Sequence, residues 1–154
     1  MNTDYQVNSG CFLGQPFSSD QLFSELSAEK FRTLTERSRK IRFKKGNNIL
    51  SNGKLPECVY ILSRGKAEIS TNFNEKKQNI RLIMEDEIIG LPEILGNFPT
   101  ETNVETLTDC ECECIPRELF IDLLLEEPKV CLRLLKIFSE NLQKSYKLFS
   151  SLTS

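Results

Sequence analysis

The chain has 154 residues, of which 39% are hydrophobic and 27% charged, the composition of one ordinary globular domain. Its net charge of −2 disfavours a dedicated nucleic-acid binder, which carries an excess of basic residues on one face. The chain has no histidine, which excludes Ser-His and Cys-His nucleophile systems, histidine general bases and zinc sites with histidine ligands.

No apolar run approaches the roughly 20 residues of a membrane helix, and the first residues lack the basic-then-apolar order of a signal peptide. We therefore expect a cytoplasmic protein without membrane contact. The six cysteines are then expected to be thiols and not a disulfide framework.

The N-terminal part predicts an arm followed by two short helices. Residues 1–18 are mostly polar and predict an irregular arm. Ser18, Ser19 and Asp20 offer N-cap oxygens for a first helix, in which the apolar residues follow at helical spacing. Ser27 is a candidate N-cap for a second helix with Phe31 and Leu34 on its apolar face.

Residues 38–114 predict β structure, because short apolar segments alternate with turn signals about every ten residues. Residues 72–77 are predicted to form a loop between two of these strands. This pattern indicates an antiparallel sandwich or barrel. The predicted strands are 39–43, 49–50, 58–62, 67–70, 80–83, 103–107 and 110–115.

Residues 91–95 interrupt the strands with a short helical turn, since Pro92 fits the first position of a helix. The end of the chain is helical, with a break at 126–128 and then one long helix. The order of helices, strands and helix predicts an α+β fold: an antiparallel β-barrel or jelly roll with short N-terminal helices and a long C-terminal helix. We divide the chain into an arm (1–18), a barrel domain (19–127) and a C-terminal helix (128–154).

Several of these segments carry a family pattern. Lys45–Leu50, then Gly53, then Val59–Ile69 resemble the first half of cyclic-nucleotide-binding domains, which reads roughly K-G-x-x-I, G, then V-Y-I-I-x-x-G-x-V-x-V. The resemblance covers about residues 20–150. Within that family the chain resembles the sensor half of catabolite-activator-type bacterial transcription regulators, in which a dimerisation helix precedes a helix-turn-helix domain. The sequence stops where that dimerisation helix ends, so we expect no direct DNA binding from this chain.

The ligand site that the resemblance implies departs from the family pattern. Residues 89–104 have the length of the phosphate-binding cassette F-G-E-L-A-L-L-x-G-x-P-R-S-A-T-V. In the family, the glutamate binds the ribose 2′-hydroxyl, the arginine binds the cyclic phosphate, and the next residue donates a hydroxyl or amide; these positions are Leu91, Thr100 and Glu101 here. The residues predicted to form this degenerate pocket are Gly90, Leu91, Pro92, Glu93, Pro99, Thr100, Glu101 and Thr102.

The missing arginine dominates the energetics of this site. Losing one member of a buried charge pair costs about 2–5 kcal/mol, roughly a 30- to 3,000-fold loss of affinity, and Glu101 adds repulsion. We therefore expect that the cassette is a structural element, that cyclic AMP and cyclic GMP do not bind in the usual way, and that no cofactor is held. The alternative is a true sensor of a cyclic nucleotide or another small ligand that uses non-standard contacts, including a Lys or Arg from elsewhere.

Three cysteines alternate along one predicted strand. Cys110, Cys112 and Cys114 share one face at steps of about 6.6 Å, which fits either a thiolate metal or redox site or small core residues. Core packing is favoured, because structural zinc sites usually space their cysteines as C-x₂₋₄-C. Glu111 and Glu113 are then expected on the opposite, solvent face.

The C-terminal helix has an a/d heptad stripe over about three heptads. Its distal members lie too far along the helix for one small barrel to cover, which predicts a parallel homodimer. The alternative is packing within the chain, against residues 1–18 or the barrel. The stripe consists of Cys131, Leu135, Phe138, Leu142, Ser145, Phe149 and Leu152.

These observations favour a non-catalytic regulatory module that acts as a homodimer or through a protein partner. It would be either a stand-alone relative of the transcription regulators or the sensor half of a longer protein. A cupin-like barrel enzyme is the third possibility. It is disfavoured because such barrels usually hold their metal with histidines, and this chain has none.

Overall fold

A computed structural model of the chain describes residues 16–153. The described part contains two four-stranded antiparallel sheets, two short N-terminal helices and a long C-terminal helix, which confirms the predicted fold class. The elements are α1 (Ser19–Leu22), α2 (Ala28–Arg37), β1 (Arg39–Phe43), β2 (Asn48–Leu50), β3 (Cys58–Arg64), β4 (Ala67–Phe73), β5 (Lys76–Ile83), β6 (Ile88–Ile89), α3 (Leu91–Gly96), β7 (Asn103–Thr106), β8 (Cys110–Pro116), α4 (Arg117–Glu126) and α5 (Pro128–Thr153).

The strands form a jelly roll of two sheets, with orders β1-β8-β3-β6 and β2-β7-β4-β5. One core lies inside the roll, where alternate residues of facing strands are buried, among them Leu62, Val104 and Cys112. Strand β8 lies between β1 and β3 in the first sheet. Its Cys114 lies opposite Tyr60 of β3, and its Cys112 lies opposite Ile41 of β1.

A second core joins the helices to the outer face of the first sheet. Val59 and Ile115 point away from the roll and pack in one cluster with Phe120 of α4 and Leu134 of α5. The helices begin where the sequence offers caps: the side chain of Ser18 accepts a hydrogen bond from the amide of Gln21, and Ser27 caps α2.

No helix among residues 16–153 is long and apolar enough to cross a membrane.

The predicted loop at residues 72–77 is wrong. Strand β4 ends at Phe73 and strand β5 begins at Lys76, and a two-residue turn joins the two strands. Asn74 and Glu75 both have a positive φ, of 53° and 63°, as a type I′ hairpin turn requires. The sequence did not predict this hairpin because the segment is polar and Asn74 is not followed by the glycine of an Asn-Gly turn signal.

The expectation that all cysteines are thiols is also wrong. Cys58 of β3 and Cys114 of β8 form a disulfide, with a Cα–Cα distance of 5.7 Å. The two are 56 residues apart in sequence, so only the strand pairing brings them together. Of the three cysteines interpreted as core residues, Cys110 and Cys112 are free and buried, whereas Cys114 is buried but belongs to the disulfide. Cys11 lies outside the described residues.

Candidate ligand site

A cavity of about 520 Å³ opens between the sheet β2-β7-β4-β5, helix α3 with the loop that follows it, and helix α5. Its volume lies within the roughly 300–1,000 Å³ that is usual for small-molecule sites. Most of the wall is apolar, with Ile69, Ile83 and Val104 from the sheet and Phe138 from α5.

Helix α3 is preceded by a residue in the left-handed region, Gly90. Gly90 has φ +90°, a conformation that favours glycine, although a Cβ there would meet nothing closer than 3.5 Å. Leu91 turns into the core and is fully buried, whereas Glu93 lies in the cavity wall. The position that the resemblance assigns to the ribose contact is thus occupied by Leu91, which offers no acceptor, and Glu93 contributes to the wall from another position.

The position at which the family carries its phosphate-binding arginine is closed. Thr100 is 1% exposed and does not line the cavity. Its Oγ1 lies 3.0 Å from Oγ1 of Thr102 and accepts a hydrogen bond from the Thr102 amide at 3.1 Å. Its amide also donates to the carbonyl of Lys54 at 3.0 Å. The Thr100 hydroxyl is thus used inside its own loop.

Glu101 does line the cavity, at the position where the family offers a hydrogen-bond donor. Its carbonyl oxygen accepts a hydrogen bond from Oγ1 of Thr71 at 3.1 Å, which fixes the loop to β4. The exposed Glu101 therefore brings a carboxylate to the cavity at a position where the family pattern has a donor.

Sequence reasoning missed four polar residues of the wall: Thr71, Arg81, Glu87 and Asn141. Arg81 lies on β5 opposite Ile69, and its Nη2 lies 2.6 Å from Oε2 of buried Glu87. Asn141 is 5% exposed and reaches the wall from α5. Neither Arg81 nor Asn141 belongs to a motif. The one signal toward Arg81 was the alternative that a Lys or Arg outside the cassette contacts the ligand.

The structure thus brings part of the predicted pocket together. Of the eight predicted residues, Leu91, Pro99 and Thr100 do not line the cavity. The residues that do are Gly90, Pro92, Glu93, Glu101 and Thr102.

The predicted dimer stripe divides between the cavity and the surface. Phe138 lines the cavity and packs edge-on against Phe17, with ring centroids 5.0 Å apart. Cys131 is half-buried. The more exposed members are Leu135, Leu142, Phe149 and Leu152.

The described residues contain no group of three or more His, Cys, Asp or Glu side chains that could hold a metal ion.

Residues 40–127 match the model of a protein family described as cyclic nucleotide-binding domain. No curated protein is significantly similar to the chain in sequence.

Solved structures of regulators share the fold. The catabolite activator protein of Thermus thermophilus has a TM-score of 0.78 at 19% identity; the match covers 86% of this chain, which spans 63% of that protein. The sensor domain of the transcriptional regulator DNR from Pseudomonas aeruginosa has a TM-score of 0.73 at 17% identity, over 82% of this chain and 86% of that one. A transcriptional regulator from Thermotoga maritima has a TM-score of 0.69 at 27% identity, over 80% of this chain and 97% of that one.

Proposed function

Because this chain belongs to the family of cyclic nucleotide-binding domains, we propose that it is a non-catalytic regulatory module whose cavity does not bind cyclic AMP or cyclic GMP through the usual phosphate contacts. The observation that carries this proposal is the closed arginine position, where the hydroxyl of Thr100 is bonded to Thr102. A cyclic phosphate placed there would meet no cation from the cassette.

The charges around the cavity support the same conclusion. A phosphate monoanion gains most from a charge-assisted, forked contact with arginine. Here the carboxylates of Glu93 and Glu101 line the cavity, and the guanidinium of Arg81 is already held by Glu87. A nucleotide would therefore lose its main attraction and meet repulsion.

We also propose that the module acts as a homodimer through α5. Leu135 and Leu142 are one heptad apart and exposed, at 58% and 38%. Exposed apolar residues with this spacing on a long helix fit a parallel coiled coil. The module would then act through a protein–protein contact, either between its two copies or with a protein partner.

A second candidate function is a true cyclic-nucleotide sensor with non-standard contacts. Arg81 favours it, because this guanidinium lines the cavity although it lies outside the cassette. Such a sensor would have to exchange the ion pair between Arg81 and Glu87 for a phosphate contact.

Thermal unfolding in the presence of nucleotides tests the proposal. A ligand present at 100 times its Kd stabilises the folded state by about 2.7 kcal/mol, which shifts the Tm of a domain of this size by roughly 5–10 °C. We expect a shift below about 1 °C with 1 mM cyclic AMP or cyclic GMP, with 5′-AMP as the control. A large shift that Arg81→Gln abolishes would establish the second candidate instead.

A further inference from the structure

The cavity described above suits a different ligand from a nucleotide. We infer that it binds a largely apolar small molecule that carries one protonated amine. The inference rests on the proposed function, since it requires that the cavity is not reserved for a cyclic phosphate.

The first support is the net charge of the cavity wall. Three carboxylates line it, those of Glu87, Glu93 and Glu101, against one guanidinium, that of Arg81, which leaves a formal charge of −2. Because the ion pair between Arg81 and Glu87 cancels one charge of each sign, the remaining charge belongs to Glu93 and Glu101. This surplus attracts a cation and repels an anion.

The second support is the state of Glu93. Glu93 is only 8% exposed, and its carboxylate forms no hydrogen bond or ion pair with residues 16–153. Since no fully enclosed side-chain oxygen in this part of the chain lacks a partner, the carboxylate oxygens of Glu93 must reach the cavity that this residue lines. Buried carboxylates are normally paired, because an unpaired charge in a poorly hydrated site is costly. A bound ammonium group would supply the missing partner.

The third support is the apolar and aromatic wall. The rings of Phe17 and Phe138 pack against each other and both line the cavity, as does Phe98 at its exposed side. Aromatic faces attract organic cations, and the aliphatic wall offers burial for the rest of the molecule. A small inorganic cation would gain nothing from this wall, so the surroundings select an amine with an apolar body.

Three compounds with one skeleton test the charge preference: 3-phenylpropylamine, 3-phenyl-1-propanol and 3-phenylpropanoate. Titration calorimetry on the full chain is expected to rank the amine above the alcohol and the alcohol above the carboxylate. Glu93→Gln should weaken amine binding about tenfold or more, since a hydrogen bond to a charged group contributes about 1.5–3 kcal/mol. The same substitution should change alcohol binding by less than about threefold.

The matched control is Glu36→Gln, which makes the same chemical change on the exposed face of α2, outside the cavity wall. It should leave the affinity for all three compounds unchanged. If Glu93→Gln does not fold, as judged by circular dichroism, the inference is tested by the affinities of the three compounds for the unmodified chain, where the amine should bind most tightly.

The inference is overturned if no compound binds, if the amine binds no tighter than the alcohol, or if a folded Glu93→Gln variant binds the amine as well as the unmodified chain. Cyclic AMP in a fourth titration separates the two proposals. Micromolar binding of cyclic AMP would refute the proposed function, whereas failure of both cyclic AMP and the amine would refute this inference alone.

Discussion

Leu91 lies in the core that joins α3 to the first sheet and to α4, in one cluster with Val59, Ile94 and Phe120. Its side chain is fully buried, so truncation would leave a cavity among closely packed groups. The family position that contacts ribose thus serves stability in this chain.

We predict that Leu91→Ala lowers the free energy of unfolding by about 2–5 kcal/mol, as buried Leu→Ala changes do. Urea denaturation followed by circular dichroism measures this loss. The control is Leu125→Ala on α4, which is 77% exposed and should change the stability by less than about 0.5 kcal/mol. Equal effects of the two substitutions would show that Leu91 does not pack as described.

The thiol of Cys112 lies in the core of the roll. Burial raises the pKa of this thiol from 9.0 to about 12, with smaller contributions from Cys110 and Glu111. Because the folded state disfavours the thiolate, alkylation should stay slow as the pH rises above 9 and should accelerate only toward 12 or on unfolding.

Mass spectrometry after iodoacetamide treatment at pH 8 tests this expectation. Cys112 should be unlabelled in the native chain and labelled in urea, whereas half-buried Cys131 serves as the accessible reference. Labelling of native Cys112 at the rate of Cys131 would contradict the description of this strand.

The hairpin between β4 and β5 depends on a turn in which both residues have a positive φ. Glu75 holds φ at 63°, a conformation that costs a residue with a Cβ about 1–2 kcal/mol. Glu75→Gly should therefore raise the free energy of unfolding by about 0.5–1 kcal/mol, after the extra entropy of glycine in the unfolded chain is deducted. Glu75→Ala keeps the Cβ and should give no such gain; a gain as large as that of glycine would refute the positive φ.

The elements that could be predicted from sequence are those with local signals. The caps at Ser18 and Ser27 and the alternation along β8 are readable because each depends on neighbouring residues. Strand β6 has two residues and no period to detect, and it forms because Ile88 and Ile89 meet β3.

In the candidate site, too, only the residues with a local sequence signal could be predicted. The cassette residues could be located from the sequence because their spacing is local. Arg81, Asn141 and Phe17 could not, because β5, α5 and the segment before α1 reach the cavity only through the chain's long-range packing. The burial of Leu91 could not be predicted either, because it depends on how α3 packs against the first sheet and α4.

At the scale of the whole molecule, the exposed stripe of α5 predicts association. Light scattering should give a mass near twice 17.7 kDa, and the double substitution Leu135→Gln and Leu142→Gln should return it to that of the monomer. Phe73→Gln removes another exposed apolar side chain, at the hairpin tip, and should leave the dimer intact. A monomeric unmodified chain at high micromolar concentration would contradict the proposed dimer.

We propose that this chain keeps the cavity of the fold but lacks the contacts that hold a cyclic phosphate. Titration calorimetry of the full chain with cyclic AMP tests it most directly. A site with a Kd of about 1 µM that loses 2–5 kcal/mol is left with a Kd of roughly 30 µM to 3 mM, and the carboxylate of Glu101 should move it toward the weak end. We predict no saturable heat up to about 1 mM cyclic AMP; saturable binding with a low-micromolar Kd would show that the cyclic-phosphate contacts are retained.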